Sequence, residues 1–352
     1  MAFNQISHDA LTLVDGRDYW KPFRYPELYN LAETHRKMNW TIEEVKKLGQ
    51  DVKDWKELGK TNPEEQAIYQ FLLLYFTQAD VDVAGSYFEN LAQWYTQPEQ
   101  RYWLAKVIDR EATHVQCYDM LPDQFGIPKE QYCEMLDIDE VYDQREFMTA
   151  QTINGSLASH RIYTLVKHIC GEGIGIYGIF LMLINAQRFG KMTCLGQEVV
   201  AWSARDENQH CEGLTWLINQ ELAENPGVLT ADFIYNIQEM FNAAVERGIA
   251  LAKCAYSKGS LRDLSIDQIE VFLKQLANAR SSQLNIGIDA IYPDVTDEIL
   301  PQVGLLFAKS SLVNFFEAAS TNYSIGSLTG EWKYPDTDFK TDYEIEQEIL
   351  NG

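Results

Sequence analysis

Two stretches of this chain set the same pair of polar side chains into the middle of what reads as apolar helix. In DREATHVQCY (Asp109 to Tyr118) Glu111 stands three before His114, and in ARDENQH (Ala204 to His210) Glu207 stands three before His210. Residues three apart share a helix face, so each Glu-x-x-His aims a carboxylate and an imidazole at one place. Glu111 shares its stripe with Leu104, Val107, Val115 and Leu121; Glu207 shares its stripe with Val200, Ala204, Leu214 and Ile218. Both stripes are apolar and must face inward. One such motif alone reads more readily as a solvated surface pair. The company of each pair decides otherwise.

Two more acids have buried surroundings. Asp80 lies on a stripe with Leu73, Phe76, Val83 and Ala84, whereas Asp82 faces Gln78, Gly85 and Ser86. Glu172 lies among Leu165, Ile169, Ile176, Ile179, Phe180 and Leu183. A lone buried carboxylate is costly, and it escapes by protonation, pairing or metal coordination. Arg110 and Arg205 are near in sequence but on other faces.

Depth along the helices brings these acids level. From Asp80 to the helix end near Tyr95 is about 22 Å at 1.5 Å rise, and from Pro98 to Glu111 is about 20 Å. An antiparallel hairpin therefore sets Asp80 beside Glu111. Glu172 and Glu207 flank the turn RFGKMTC in the same way. The two hairpins repeat one design: an acid, a turn, then Glu-x-x-His. Four carboxylates and two histidines (Asp80, Glu111, His114, Glu172, Glu207, His210) converging in a four-helix core form the pattern of ferritin-like di-iron and di-manganese carboxylate proteins. Hard oxygen donors with one imidazole per cation suit iron or manganese better than zinc. A purely structural buried polar network is the competing reading.

The remainder of the chain agrees with an all-α fold. Asn62 reads as an N-cap with Pro63 at the first helical position. A second helix opens at Pro98, runs to about Leu121 and stops at Pro122. Further helices are predicted over 142–169, 171–189, 192–223, 230–256, 266–287 and 297–320, with a capping box of Ser265 and Gln268. Strand alternation is almost absent. The apolar run GIGIYGIFLMLI (Gly173 to Ile184) is too short to span a membrane and reads as a buried core helix.

The formal net charge of −23 argues against binding a nucleic-acid backbone. Six cysteines without a C-x-x-C pair, and an N-terminus without a secretory signal, read as reduced thiols in a cytoplasmic protein. One domain is expected over 1–325, its segment 1–40 packed on the bundle. An acidic C-terminal segment, 326–352, reads as a flexible tail or, with Ile345, Ile349 and Leu350 at its tip, as a docking peptide.

Four segments carry a more specific resemblance. RDENQH is similar to the Arg-Asp-Glu-x-x-His signature of the small, radical-generating subunit of class I ribonucleotide reductase. Tyr118 follows Glu111 by seven and His114 by four, the family's placement of its radical tyrosine; physically it is the same helix face, two turns on. MNWTIEEV resembles the family's N-terminal segment, with Trp40 at its relay tryptophan. NFFEAASTNY resembles the segment before the family's C-terminus, with Tyr323 at its relay tyrosine. The resemblance covers about residues 25–325.

It implies a ferritin-like bundle with extra packing helices, holding Fe2, Mn2 or Mn/Fe. It implies activation by O2 or a related oxidant, and a one-electron oxidant stored at Tyr118. Transfer then runs through His114, Asp206, Trp40 and Tyr323 to a separate large subunit that reduces ribonucleotides. It further implies a homodimer, docking of the tail on the large subunit, and a ferredoxin or flavoprotein activator. Asp206 also fits locally as an acceptor for a ligating imidazole. Two departures stand out. The Glu172–Glu207 interval of 35 (207 − 172) is one longer than the family form, which places an extra residue near GKMTCLGQ, in the turn or as a π-bulge. Ser203 stands where the family usually has a bulky aliphatic residue. The alternatives are a ferritin-like oxidase or monooxygenase with its own small substrate, and a metal-storage or scaffold protein.

Overall fold

In a computed structural model of the chain, the described residues are 10–150, 155–296, 298 and 300. Among them every regular element is helical. Ten helices carry the architecture: α1 Pro26–Lys37, α2 Leu48–Thr61, α3 Pro63–Ser86, α4 Pro98–Phe125, α5 Asp139–Thr149, α6 Leu157–Cys170, α7 Ile176–Ile184, α8 Ala201–Glu224, α9 Ala231–Tyr256 and α10 Ile266–Ser281. Short helical turns connect several of them. The expected helix 297–320, the tail 326–352 and Tyr323 lie outside the described residues.

Helices α3 and α4 form one hairpin of the core; α6 with α7, and α8, form the other. Helix α1 lies across α4 and α8, while α9 and α10 pack together and against the α6–α7 side. The all-α expectation and the four-helix core are thus observed. Local signals explain the starts. Asn62 accepts from the Glu65 amide at 3.3 Å, Thr230 caps α9, and Ser265 with Gln268 forms the capping box of α10. Gln97 and Gln100 make a further capping box ahead of α4.

The helix ends differ from the sequence reading in three places. Helix α4 does not stop at Pro122 but runs on to Phe125, with Gly126 in the left-handed region (φ 74°). Proline costs one hydrogen bond and crowds the preceding turn, but so near the end only one turn depends on it. The single helix expected over 142–169 is two, α5 and α6: Ala150 is extended, and Ser156 starts α6 afresh by accepting from the Ser159 amide at 3.2 Å. Helix α10 ends at Ser281, not 287. Ser281 and Ser282 turn their hydroxyls back onto the Asn278 and Ala279 carbonyls, which competes with helix continuation.

Three π segments interrupt the core helices: Tyr87–Leu91, Gly171–Gly175 and Leu195–Val200. A π turn takes in one extra residue and lets the following face keep its aim. One of them, Leu195–Val200, lies inside the Glu172–Glu207 interval and overlaps GKMTCLGQ, where an extra residue is expected, while Gly171–Gly175 spans Glu172 itself. The helical stretch Leu157–Phe189 is, by length and composition, long and apolar enough to cross a membrane. Its apolar window is nevertheless wholly buried inside the protein, so it is a core element far longer than the run 173–184 suggested.

Residues 10–25 strap the ends of α4 and α8. The buried Glu99 carboxylate accepts from the Arg24 and Tyr25 amides at 2.9 and 3.0 Å and pairs with Arg17. Glu224 accepts from the Leu13 amide at 2.9 Å and the Tyr25 hydroxyl at 2.6 Å. Between α4 and α8 the fit is tightest where the Trp103 ring lies against Gly213, so that a Cβ at 213 would overlap the indole. Gly213→Ala is expected to destabilise the fold by about 1–3 kcal/mol, read as a lower midpoint in urea with unchanged slope.

Candidate metal centre

Each acid expected at the centre comes from a separate core helix or its π extension. Asp80 is on α3, Glu111 and His114 on α4, Glu172 in the π segment Gly171–Gly175, and Glu207 and His210 on α8. All six are at most 1 % exposed. The structure brings them together. His210 Nδ1 lies 2.9 Å from Glu111 Oε1, 3.1 Å from Glu172 Oε2 and 3.2 Å from Glu207 Oε2. His114 Nδ1 lies 3.1 Å from Glu207 Oε1 and 3.6 Å from Glu111 Oε2. Two four-residue groups result: Asp80, Glu111, His114 and Glu207; and Glu111, Glu172, Glu207 and His210. Within each, the donor atoms lie within 4.8 Å of one another. Glu111 and Glu207 belong to both groups, so the six residues could hold two cations.

The donor set fits that reading. Both oxygens of Asp80, both of Glu111, Oε1 of Glu207 and Nδ1 of His114 are buried without a hydrogen-bond partner. Buried polar groups are nearly always satisfied, and here the orphans converge. Arg110 and Arg205, which the sequence places on other faces, pair with Asp206 and not with the four carboxylates. Asp82 stays at the margin, accepting from Gln78 at 3.0 Å.

Electrostatics follow from crowding. Burial, then the charge of Glu111, pushes the Asp80 carboxyl well above the usual carboxylate range, and the same two causes raise Glu207. Burial also opposes the charge on Glu111, but the imidazoles of His114 and His210 beside it outweigh burial and bring it to about 2. His114 is held well above the ordinary imidazole value: burial opposes its charge, and the carboxylates of Asp206, Glu111 and Glu207 around it overcome burial. His210 is raised likewise, against burial, by Glu207, Glu111 and Glu172.

Behind His114 a chain leads outward. His114 Nε2 is 3.4 Å from Asp206 Oδ2, and Trp40 Nε1 donates to the same oxygen at 2.6 Å. Arg205 donates to Oδ1 at 3.0 Å, while Arg110 Nη1 holds the Trp40 carbonyl at 2.9 Å. Burial would raise the Asp206 carboxyl, but Arg205, His114 and Arg110 hold it well below the usual range. Asp206 is therefore a fixed anion between two aromatic rings whose centroids are 5.9 Å apart.

Tyr118 is wholly buried and stacked on Phe76 at 3.9 Å. Its hydroxyl donates to Ser203 Oγ at 3.3 Å, so the serine that departs from a bulky aliphatic residue becomes the partner of the phenol. Burial holds the Tyr118 hydroxyl well above its ordinary value.

Three neighbours escaped the sequence reading. His168 Nδ1 is 2.8 Å from Glu172 Oε1, and the Tyr87 hydroxyl donates to Glu172 Oε2 at 3.1 Å. His35 Nε2 meets His210 Nε2 at 3.1 Å. Burial, then the charge of His210, lowers His35 to about 3, so it is neutral. His168 stands four before Glu172, one turn away, which was a readable signal. His35 comes from α1, far along the chain, and nothing in its spacing points to His210.

The fold is a ferritin-like helical bundle whose core holds a buried carboxylate–histidine cluster able to bind metal. The chain is similar over most of its length to known proteins. It matches the sequence model of ribonucleotide reductase, small chain, over residues 17–298. It is 29% identical to a probable ribonucleoside-diphosphate reductase small subunit of Invertebrate iridescent virus 3, with 93% of this chain and 89% of that protein covered. Its fold is similar to that of a ribonucleotide reductase R2 subunit from Clostridium botulinum (TM-score 0.72, 18% identity, 88% of this chain and 94% of that one). It is also similar to that of a dimanganese(II) protein from Streptococcus sanguinis (TM-score 0.68, 16% identity, 83% and 99%). The chain belongs to the small-chain family of ribonucleotide reductase, the subunit that works with a separate large one.

Proposed function

We propose that Asp80, Glu111, His114, Glu172, Glu207 and His210 hold a pair of iron ions, a pair of manganese ions or one of each. Hard carboxylate oxygens and one imidazole per cation suit these metals. The similar Streptococcus sanguinis protein carries two Mn(II). When bound and activated by O2 or a related oxidant, the pair supplies a one-electron oxidant. Tyr118 stores it as a phenoxyl radical, giving up one electron and its phenolic proton. Its buried, aromatic-lined pocket keeps water and reductants away from that radical.

The oxidising equivalent then leaves through His114, Asp206 and Trp40, and through Tyr323, to the large subunit, where ribonucleotides become deoxyribonucleotides. The observation that carries this reading is the Asp206 carboxylate bonded to Trp40 on one side and facing His114 on the other. Asp206 fixes one proton of His114 on Nε2, so that Nδ1 is the nitrogen a cation would take as it displaces the other. It also accepts from the indole N–H, which keeps Trp40 in line. The domain 1–325 would work as one of two copies in a homodimer, with 326–352 docking on the large subunit. A ferredoxin or flavoprotein activator would supply the activation chemistry. The six cysteines are all free, in keeping with work in a reducing cytoplasm.

The test is reconstitution with the large subunit from the same source. Tyr323→Phe is expected to keep the tyrosyl electron paramagnetic resonance signal yet bring deoxyribonucleotide formation to background; turnover at the original rate would remove Tyr323 from the path.

Metal uptake has an expected proton signature. Asp80, His114 and His210 all have raised proton affinity in the metal-free site. A cation must displace those protons, so binding releases protons and tightens as pH rises. Calorimetric titration with Mn(II) in two buffers of different ionisation enthalpy reads the number released. Equal heats in both buffers would show that the cations bind elsewhere.

A further inference from the structure

We infer that His35 is a positioning residue for the second cation site: it accepts the Nε2 proton of His210, so that Nδ1 is the nitrogen His210 offers to a cation. The inference rests on the metal-centre reading above. His210 presents Nδ1 to Glu111, Glu172 and Glu207 at 2.9–3.2 Å, and its other nitrogen meets His35 Nε2 at 3.1 Å. The ring planes are 18° apart with centroids 5.1 Å apart, which fits two imidazoles meeting end to end almost in one plane. Both rings are buried, His35 at 3 % exposure.

Once a cation has displaced one proton from His210, one proton lies between the two facing nitrogens, and it has two places to be. If it sits on His35, His210 is bare at Nε2 and carries its own proton on Nδ1, among the carboxylates, where it competes with a cation. If it sits on His210, Nδ1 is free to bind and His35 must carry its proton on its own Nδ1. The tautomer of His35 thus decides whether His210 is a ligand. His114 faces no such choice. Its outer nitrogen meets Asp206, an anion that only accepts. The two halves of the centre are therefore unequal: one imidazole is backed by a carboxylate, the other by a neutral ring. The partner behind a ligating histidine sets its tautomer and its strength as a donor.

The experiment titrates metal-free wild-type, His35→Leu and His35→Gln proteins with Mn(II), counting free Mn(II) by electron paramagnetic resonance. Wild type is expected to bind two. His35→Leu is expected to lose about 10–100-fold in affinity for one cation and to keep the other unchanged. His35→Gln, whose side-chain carbonyl accepts as the imidazole does, is expected to recover most of that loss. A general packing defect would weaken both sites and would not be rescued by the amide. Two cations bound by His35→Leu as tightly as by wild type, or a folded glutamine variant no better than leucine, would overturn the inference while leaving the metal centre intact. A wild-type protein that binds no pair would instead overturn the metal-centre reading, and this inference with it. Should the leucine variant fail to fold, ¹⁵N shifts of the wild-type histidines loaded with Zn(II) decide. A proton on His35 Nδ1 supports the assignment, and one on His35 Nε2 refutes it.

Discussion

Tyr118→Phe is expected to bring deoxyribonucleotide formation to background and to erase the tyrosyl signal, while both cations stay bound. The reason is the narrowness of the change. One oxygen is removed from a ring that stacks on Phe76, and phenylalanine fills the same space. The hydroxyl has one hydrogen-bond partner, Ser203 at 3.3 Å, and donates to none of the six residues of the centre. Its loss costs about 1 kcal/mol of stability, and Ser203 can turn back to a carbonyl of its own helix. What the variant lacks is a side chain that gives up an electron together with a proton. Metal analysis, paramagnetic resonance and turnover with the large subunit, measured on one preparation, separate the outcomes. Turnover at the wild-type rate would place the stored oxidant elsewhere. Loss of the cations would make Tyr118 a structural part of the centre.

Glu207→Gln is expected to have the opposite profile: the cations are lost while the metal-free protein stands as well as before or better. Glu207 is shared by both groups, with Oε1 3.1 Å from His114 Nδ1 and Oε2 3.2 Å from His210 Nδ1. The amide keeps the volume but offers one acceptor in place of two, and no charge. In the metal-free protein this carboxyl is already forced upward by burial and by Glu111, so removing its charge relieves repulsion. Metal-linked stabilisation should vanish. A site at a hundred times its dissociation constant contributes about 2.7 kcal/mol, and wild type should show the corresponding rise in Tm with Mn(II). An equal rise in the variant would exclude Glu207 as a ligand.

Much of this centre was legible before any coordinates, because it is written in periodicity. An apolar stripe that carries Asp80 or Glu207 forces that side chain inward, and counting residues from a turn gives its depth. Both are properties of a single helix or hairpin. The misreadings were of another kind. Pro122 looked decisive but costs one bond near a helix end. The interruption after Thr149 and the serines that end α10 depend on hydroxyl and backbone competition, which hydrophobic pattern does not encode. His35 and Tyr87 join the site only because separate helices cross there. The exception is His168, one turn before Glu172, where spacing alone could have pointed to the contact.

The order of these parts along the chain has a consequence for biosynthesis. Residue 35 backs a side chain at 210, and the strap at 13–25 is fastened by carboxylates at 99 and 224. A polypeptide growing from its N-terminus therefore cannot close this centre until α8 has left the ribosome. Until then Asp80, Glu111 and His114 form only half a cage, so on the proposed reading the ions would be installed after most of the domain has been synthesised.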